Sequence, residues 1–442
     1  MVRASIRVLV LATTMLTGIA ASSAGELPRR GVLGVKLSGA GGIVKVEEVM
    51  NPALGALKPG DQIVAVDGKP VATTAEVIGA LGRRREGDLV PLGLKRGGEA
   101  VQMDARLMAA PVPAVDGRAM ELGEVTLPSG IRVRTQLARP NSDKLTRDGK
   151  APAMMMLQGI PCITNDTFAS TIGPIGRLYK TLNDAGFAIY LVEKPGTGDS
   201  EGEDCRTGGF DIEVEAFRAA AQELAKLPGI DASRLFGVGI SMGAIQVPLI
   251  ANDAGFKGIV TWGGAVSPFY DYLMATFRRR FVLQNMPAGE TEPLLRVWRK
   301  VLAAAFVDRL DRAAIAARMP DDLKVFEDSA GSLDEVGGRS LRFAQECDDA
   351  PVTAGWQAYR GELLALHGEF DWVSEAYDDA LSAYIVNANN PGKAAFETVP
   401  GLDHTMTAHA TLADSFPNLM KGAQSDLFEK RVAAWLIEKA AL

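Results

Sequence analysis

From residue 154 onward, short apolar runs alternate with amphipathic stretches of helical period. Met154–Leu157, Phe187–Val192, Leu235–Ile240 and Ile259–Trp262 read as buried strands, because a strand covered on both faces shows no polar alternation. Ile175–Ala185, closed by Gly186, and Val214–Leu227 read as helices between them. Ile245–Ala251 lies in the helix that follows the third strand. This β-α alternation predicts an α/β fold with a doubly wound, mostly parallel sheet. Two alternating runs over Leu122–Leu137, broken at Pro128-Ser129-Gly130, predict a β-hairpin ahead of it. The rhythm stops between 265 and 355, where Arg, Leu, Ala and aromatic residues form helical patterns such as Pro293–Val307 and Arg312–Arg318. That stretch predicts a helical cap inserted into the sheet domain. Strands return at Leu363–Leu366 and Ala395–Val399, and a final helix runs over Leu427–Leu442.

Residues 29–108 carry a different rhythm. Gly42–Val46 and Gln62–Val66 are short β-rich runs between Gly/Pro turns, and Ala75–Leu81 reads as a helix entered from Thr73-Thr74 and stopped at Gly82. The blocks Gly31-Val32-Leu33-Gly34-Val35, Leu57-Lys58-Pro59-Gly60-Asp61-Gln62-Ile63 and Val66-Asp67-Gly68-Lys69-Pro70-Val71 resemble a PDZ domain. The resemblance implies a small β-rich domain that adds an extended peptide to a sheet edge. Leu33, Gly34 and Val35 would then offer N–H groups to a peptide or protein C-terminus. An empty groove in a domain that only packs on its neighbour remains the alternative. Residues 109–116, beginning Ala109-Ala110-Pro111-Val112-Pro113-Ala114, read as a linker, and 117–442 as the larger domain with its cap over 265–355.

At 442 residues the chain exceeds one ordinary domain. Its net charge of −7 and the lack of a long Lys/Arg cluster argue against nucleic acid as a partner. Residues 1–24 read as a signal peptide: Arg3 and Arg7 precede the apolar run Val8–Ala20, and Ala20-Ala21-Ser22-Ser23-Ala24 offers small residues for cleavage. The run is short for a membrane span, so no stable span is expected after cleavage, and the mature chain is expected to be periplasmic or secreted. An uncleaved N-terminal anchor is the alternative.

Chemistry concentrates in a few blocks. Gly239-Ile240-Ser241-Met242-Gly243 follows an apolar strand and opens a helix, the context in which a glycine-bracketed serine becomes an exposed nucleophile. The chain has three histidines, His367, His404 and His409. His404 falls directly after the last strand, where a serine's general base belongs; His367 precedes the candidate acid, and His409 is a reserve. Asp371, on the glycine turn Gly368-Glu369-Phe370-Asp371 after a buried strand, is the expected acid. Glu369 is a weaker rival, and Asp403 adjoins His404 too closely to orient its ring. The oxyanion donors are expected to be the backbone N–H groups of Met242 and Ile160, since Pro161 has no N–H to give.

Together, Leu157-Gln158-Gly159-Ile160-Pro161, Glu193-Lys194-Pro195-Gly196-Thr197-Gly198-Asp199-Ser200, the serine turn, His367-Gly368-Glu369-Phe370-Asp371 and Gly401-Leu402-Asp403-His404 resemble the α/β-hydrolase family. The resemblance spans 117–442 outside the cap. It implies a Ser-His-Asp hydrolase that acts on a small acyl substrate, an ester first, with a peptidase or amidase as rival. A non-catalytic peptide-binding protein is the reading of another class. Gln158 stands where many relatives have His, and Ile240 where they often have His; neither position belongs to the triad. With the expected compartment, the fold also implies a Cys162–Cys205 disulfide and leaves Cys347 over. No spacing suggests a metal site, and no cofactor is implied.

Overall fold

The computed structural model describes residues 26–442 apart from 52, 53, 55 and 170–172. The expected signal segment, from Arg3 to Ala24, therefore lies outside the described residues. Among those described, no helix is long and apolar enough to cross a membrane.

Five strands form the main antiparallel path of the N-terminal sheet: β1 (Val35–Ala40), β2 (Ile43–Val49), β3 (Gln62–Val66), β4 (Leu89–Arg96) and β5 (Glu99–Arg106), paired in that order. Helix α1 (Thr74–Leu81) starts where the sequence suggests, because Thr73 and Glu76 form a reciprocal capping box. Alternate strand residues, Val44, Val46, Ile63 and Leu92, close on Val77 of this helix. This is the β-rich PDZ region, with β1 at its edge.

Short pairings order the stretch after it. Met108 and Ala109 pair with Val32 and Gly31, and Ala114-Val115 pairs with Arg118-Ala119. Ala110 and Val115 are buried. The Pro- and Ala-rich composition signals the lack of long elements, but not that its apolar side chains find cover.

An eight-stranded sheet follows, in the order β6 (Glu121–Thr126), β7 (Arg132–Ala138), β9 (Ala188–Val192), β8 (Ala151–Leu157), β10 (Ile230–Ile240), β11 (Gly258–Trp262), β12 (Glu362–Gly368) and β13 (Ala394–Val399). The hairpin β6–β7 is antiparallel and joins β9 antiparallel; every later pair is parallel. One face packs on α2 (Pro174–Ala185) and the C-terminal helix Leu427–Ala441, and the other on α3 (Phe210–Leu224) and α4 (Met242–Ile250). Helix α3 begins four residues before the predicted start. Phe210 is fully buried there, and the Gly208-Gly209 pair before it hid that start. The doubly wound α/β sheet predicted from the alternation is present. Between β11 and β12 run the helices Phe269–Leu283, Ala288–Phe306, Arg312–Arg318, Pro320–Ala330, Leu341–Asp349 and Val352–Ala358, with a small hairpin pairing Glu335-Val336 and Arg339-Ser340.

A buried ionic seam ties the first residues to the sheet. Asp199 accepts from the Arg30 backbone N–H (2.7 Å) and from Arg134 Nε (3.1 Å), and is bonded by the Arg29 guanidinium. Arg30 also reaches Asp166 at 3.1 Å.

Candidate active site

Strand β10 ends at Ile240 and α4 begins at Met242, so Ser241 is the single residue that turns the chain. It adopts φ 53° and ψ −117°. A side chain held there costs on the order of 1–3 kcal/mol and persists only where the surroundings impose it. The surroundings are tight: a Cβ at Gly243 would sit 2.0 Å from the Leu157 carbonyl oxygen, and one at Gly239 2.5 Å from that of Gly243. The two glycines therefore let the strand, turn and helix crowd together. The Ser241 N–H donates to the Trp262 carbonyl at 2.8 Å, which docks the turn on β11.

His404 lies in the loop after β13, and Asp371 in the turn after β12. Their contact is Nδ1 to Oδ2 at 2.7 Å. Asp371 is buried and saturated: Oδ1 accepts the N–H groups of Val373 (2.7 Å) and Ser374 (3.0 Å), and Oδ2 the Ser374 hydroxyl (2.6 Å). Burial pushes the Asp371 carboxyl up, but the His404 charge and hydrogen bond outweigh it and bring the group to about 2. Burial likewise works against a charged His404, yet Asp371 raises it above the usual histidine value.

Trp262 joins the serine to this pair. Its carbonyl receives the Ser241 N–H, and its indole Nε1 donates to the His404 carbonyl at 2.9 Å. Gly263 (φ 60°) follows it under the imidazole, where a Cβ would lie 2.9 Å from His404 Cε1 and 3.1 Å from Asp371 Oδ2. Ser241, Asp371 and His404 thus follow the carboxyl ends of the parallel strands β10, β12 and β13, with Trp262 and Gly263 at the end of β11 between them, the usual place for sites in such sheets.

The rival residues are occupied elsewhere. His367 is buried against Asp379 (2.9 Å). His409 bonds Asp403 (3.0 Å), which also binds Thr405 and Thr407. Glu369 accepts the Gly401 N–H at 2.8 Å.

The loop with the expected second donor passes beside Ser241, since a Cβ on Gly159 would be 3.4 Å from Ser241 Cβ. Met242 is buried at the first turn of α4, against the free thiol of Cys347. Cys162 and Cys205 are joined in a disulfide, and Cys347 stays free and buried. Leu33 lies in the PDZ core, while the Gly34 carbonyl accepts the N–H groups of Met50 and Asn51. Among the described residues, no group of acidic, His and Cys side chains has the arrangement of a metal site.

Residues 163–408, more than half of the chain, match the family model described as serine aminopeptidase, S33. The chain belongs to that family. Residues 31–107 match the PDZ domain model. The hydrolase is similar in fold to DcsB, solved with its substrate analogue, at 15% identity over 73% of this chain and 99% of that one (TM-score 0.46). It is similar also to Est1E from Butyrivibrio proteoclasticus with ferulic acid bound, at 16% identity over 72% of this chain and 100% of that one (TM-score 0.46). A third is the esterase PF2001 of Pyrococcus furiosus, at 13% identity, 74% and 96% coverage and TM-score 0.43. Among curated proteins, none matches this sequence.

Sequence reasoning missed the supports. Trp262 reads only as an apolar strand residue, and no motif marks Ser374. Lys194 was the visible anomaly, a charge beside Glu193 at the end of a wholly apolar strand. Burial pushes Lys194 down to about 8 and Glu193 up to about 8.

Proposed function

We propose that this hydrolase cleaves carboxylic esters through an acyl-enzyme formed on Ser241. In this reading a PDZ-like unit over 29–108 precedes a hydrolase unit over 117–442, whose 265–355 insertion forms the cap. His404 takes the proton from the Ser241 hydroxyl as the oxygen attacks the ester carbonyl. Asp371 holds the imidazole by Nδ1 and stabilises its charged form. The N–H groups of Ile160 and Met242 bind the oxyanion. The imidazolium then protonates the departing alkoxide, and a water activated by His404 releases the acid. The observation that carries the reading is the left-handed backbone of Ser241 beside a 2.7 Å His404–Asp371 contact. A serine-directed fluorophosphonate tests it: wild type should label at Ser241 and Ser241→Ala should not, and equal labelling of both would sink the assignment.

A second reading is cleavage of peptides or other amides by the same triad. The PDZ region favours it, because β1 is a sheet edge to which a peptide strand can add, with Leu33, Gly34 and Val35 at the carboxylate end. Turnover of short acyl esters compared with peptide amides, with and without a free peptide C-terminus, separates the two readings. Export to the periplasm or beyond is supported by the N-terminal pattern and by the Cys162–Cys205 disulfide, a bond that lasts in oxidising compartments.

A further inference from the structure

Behind the Gly159–Pro161 loop lies a buried charge cluster outside the triad. Lys194, at the end of β9, has a side chain with no solvent exposure. Its ammonium donates to three successive carbonyls: Gly159 at 2.5 Å, Ile160 at 3.1 Å and Pro161 at 3.3 Å. Arg339, from the small hairpin between β11 and β12, donates to the same Ile160 carbonyl at 3.3 Å. Glu213 of α3 lies between the two cations, 2.6 Å from Arg339 and 3.8 Å from Lys194, and Gln246 of α4 donates to it at 3.0 Å. The Arg339 guanidinium also stacks on Phe343, 3.7 Å from its centroid.

A trans peptide is planar, so its C=O and N–H point in opposite directions. The Gly159 carbonyl and the Ile160 N–H share one peptide plane. A cation that grips the carbonyl from behind therefore aims the N–H the opposite way. We propose that Lys194 and Arg339, held together by Glu213, are positioning residues: Lys194 sets the direction of the Ile160 oxyanion donor through the Gly159 carbonyl, and Arg339 fixes the next peptide of the loop through the Ile160 carbonyl. The inference rests on the acyl-enzyme reading above. Two features support it. Buried ion clusters replaced by apolar side chains of similar volume are often no less stable, so stability alone is a weak reason for this one. The cluster also reaches its loop contacts only through carbonyls: the Gly159 carbonyl leaves the Ile160 N–H on the other side, while the Ile160 carbonyl is followed by Pro161, which has no N–H. Because Arg339 comes from the helical insertion, the hold on the Ile160 carbonyl next to the donor depends on that insertion being docked.

The test is steady-state kinetics on an activated aryl ester, together with inhibition by a trifluoromethyl ketone, whose hemiketal oxyanion reports the donors directly. Lys194→Met should lower kcat by about 10–100-fold, short of the ~10²–10³ for losing a donor outright, with KM changed by less than about threefold. Trifluoromethyl ketone affinity should fall in parallel with kcat. Arg339→Met leaves Lys194 and Gln246 on Glu213 and should show a smaller loss of the same pattern, about 3–10-fold. A folded Lys194→Met with unchanged kcat and ketone affinity overturns the proposal, as does a loss confined to KM. If Lys194→Met does not fold, Arg339→Met decides by the same criteria. Ser241→Ala is the separate control: if it still turns over the ester, the acyl-enzyme reading itself fails, whatever the positioning variants do.

Discussion

The indole Nε1 of Trp262 lies 2.9 Å from the carbonyl oxygen of His404. This bond fixes the loop that carries the histidine onto β11, whose last carbonyl already holds the Ser241 N–H. One buried tryptophan thus bonds the backbone of both Ser241 and His404.

Trp262→Phe keeps the ring and removes the donor. The His404 carbonyl then loses its partner in a buried setting, which should destabilise the fold by about 1–3 kcal/mol. The looser histidine should lower kcat by about 10–100-fold, since small misplacements near reacting groups are amplified in rate. Urea unfolding and ester kinetics on the same sample check both.

In the proposed mechanism His404 is the general base and must be uncharged. Because Asp371 raises His404 above the usual histidine value of 6.5, kcat/KM should fall on acidification at a pH above that value. Asp371→Asn should move this limb down and reduce kcat by about 10⁴-fold. A limb that stays in place in the variant would separate it from His404.

The same pair makes a stability prediction. Asp371 is lowered from 3.8 to about 2, so its contribution is present above about 4 and lost as pH falls through 2. His404 is raised, so its contribution is complete below about 6.5 and lost as pH rises through its folded value. The Tm gap between wild type and Asp371→Asn should therefore be widest between about pH 4 and 6.5. A gap that grows steadily above pH 8 contradicts the coupling.

The Cys162–Cys205 disulfide closes a sequence separation of 43 residues. Chain-entropy arguments assign such a loop about 4 kcal/mol at 25 °C. Unfolding in urea with and without reductant, and of the Cys162→Ser/Cys205→Ser pair, should show losses of that order. Cys347 is buried and unpaired, so Cys347→Ser should not remove this redox dependence.

Asp199 is buried among the guanidinium groups of Arg29 and Arg134. Asp199→Leu leaves Arg134 without its carboxylate and Arg29 with only the longer Asp166 contact at 3.8 Å, and should destabilise the protein by about 3–5 kcal/mol. It should also expose 109–116 to proteolysis, because Arg29 bonds the carbonyls of Ala110 and Pro111. Mass spectrometry of a protease time course would show the earliest cut moving there.

Much of this was legible in the sequence. The apolar runs named the parallel strands β8 to β12, because strands buried on both faces leave an uninterrupted record, whereas the edge strand β13 is half-exposed and shows a mixed run. The order of Ser241, Asp371 and His404 could be read because this fold places each on a loop after its own strand. Other features depend on contacts between distant residues. Arg339 and Glu213 are 126 positions apart and meet only when the helical insertion docks on the sheet. Asp199 reads as one residue of a glycine-rich turn until Arg29 reaches it from 170 positions away. Local pattern records which side chains must be buried. It does not record which buried charge faces which, because that pairing is set by the packing of elements far apart in the chain. The sequence alone therefore determined the sheet and the three residues to suspect, and the tertiary structure decided what holds them in place.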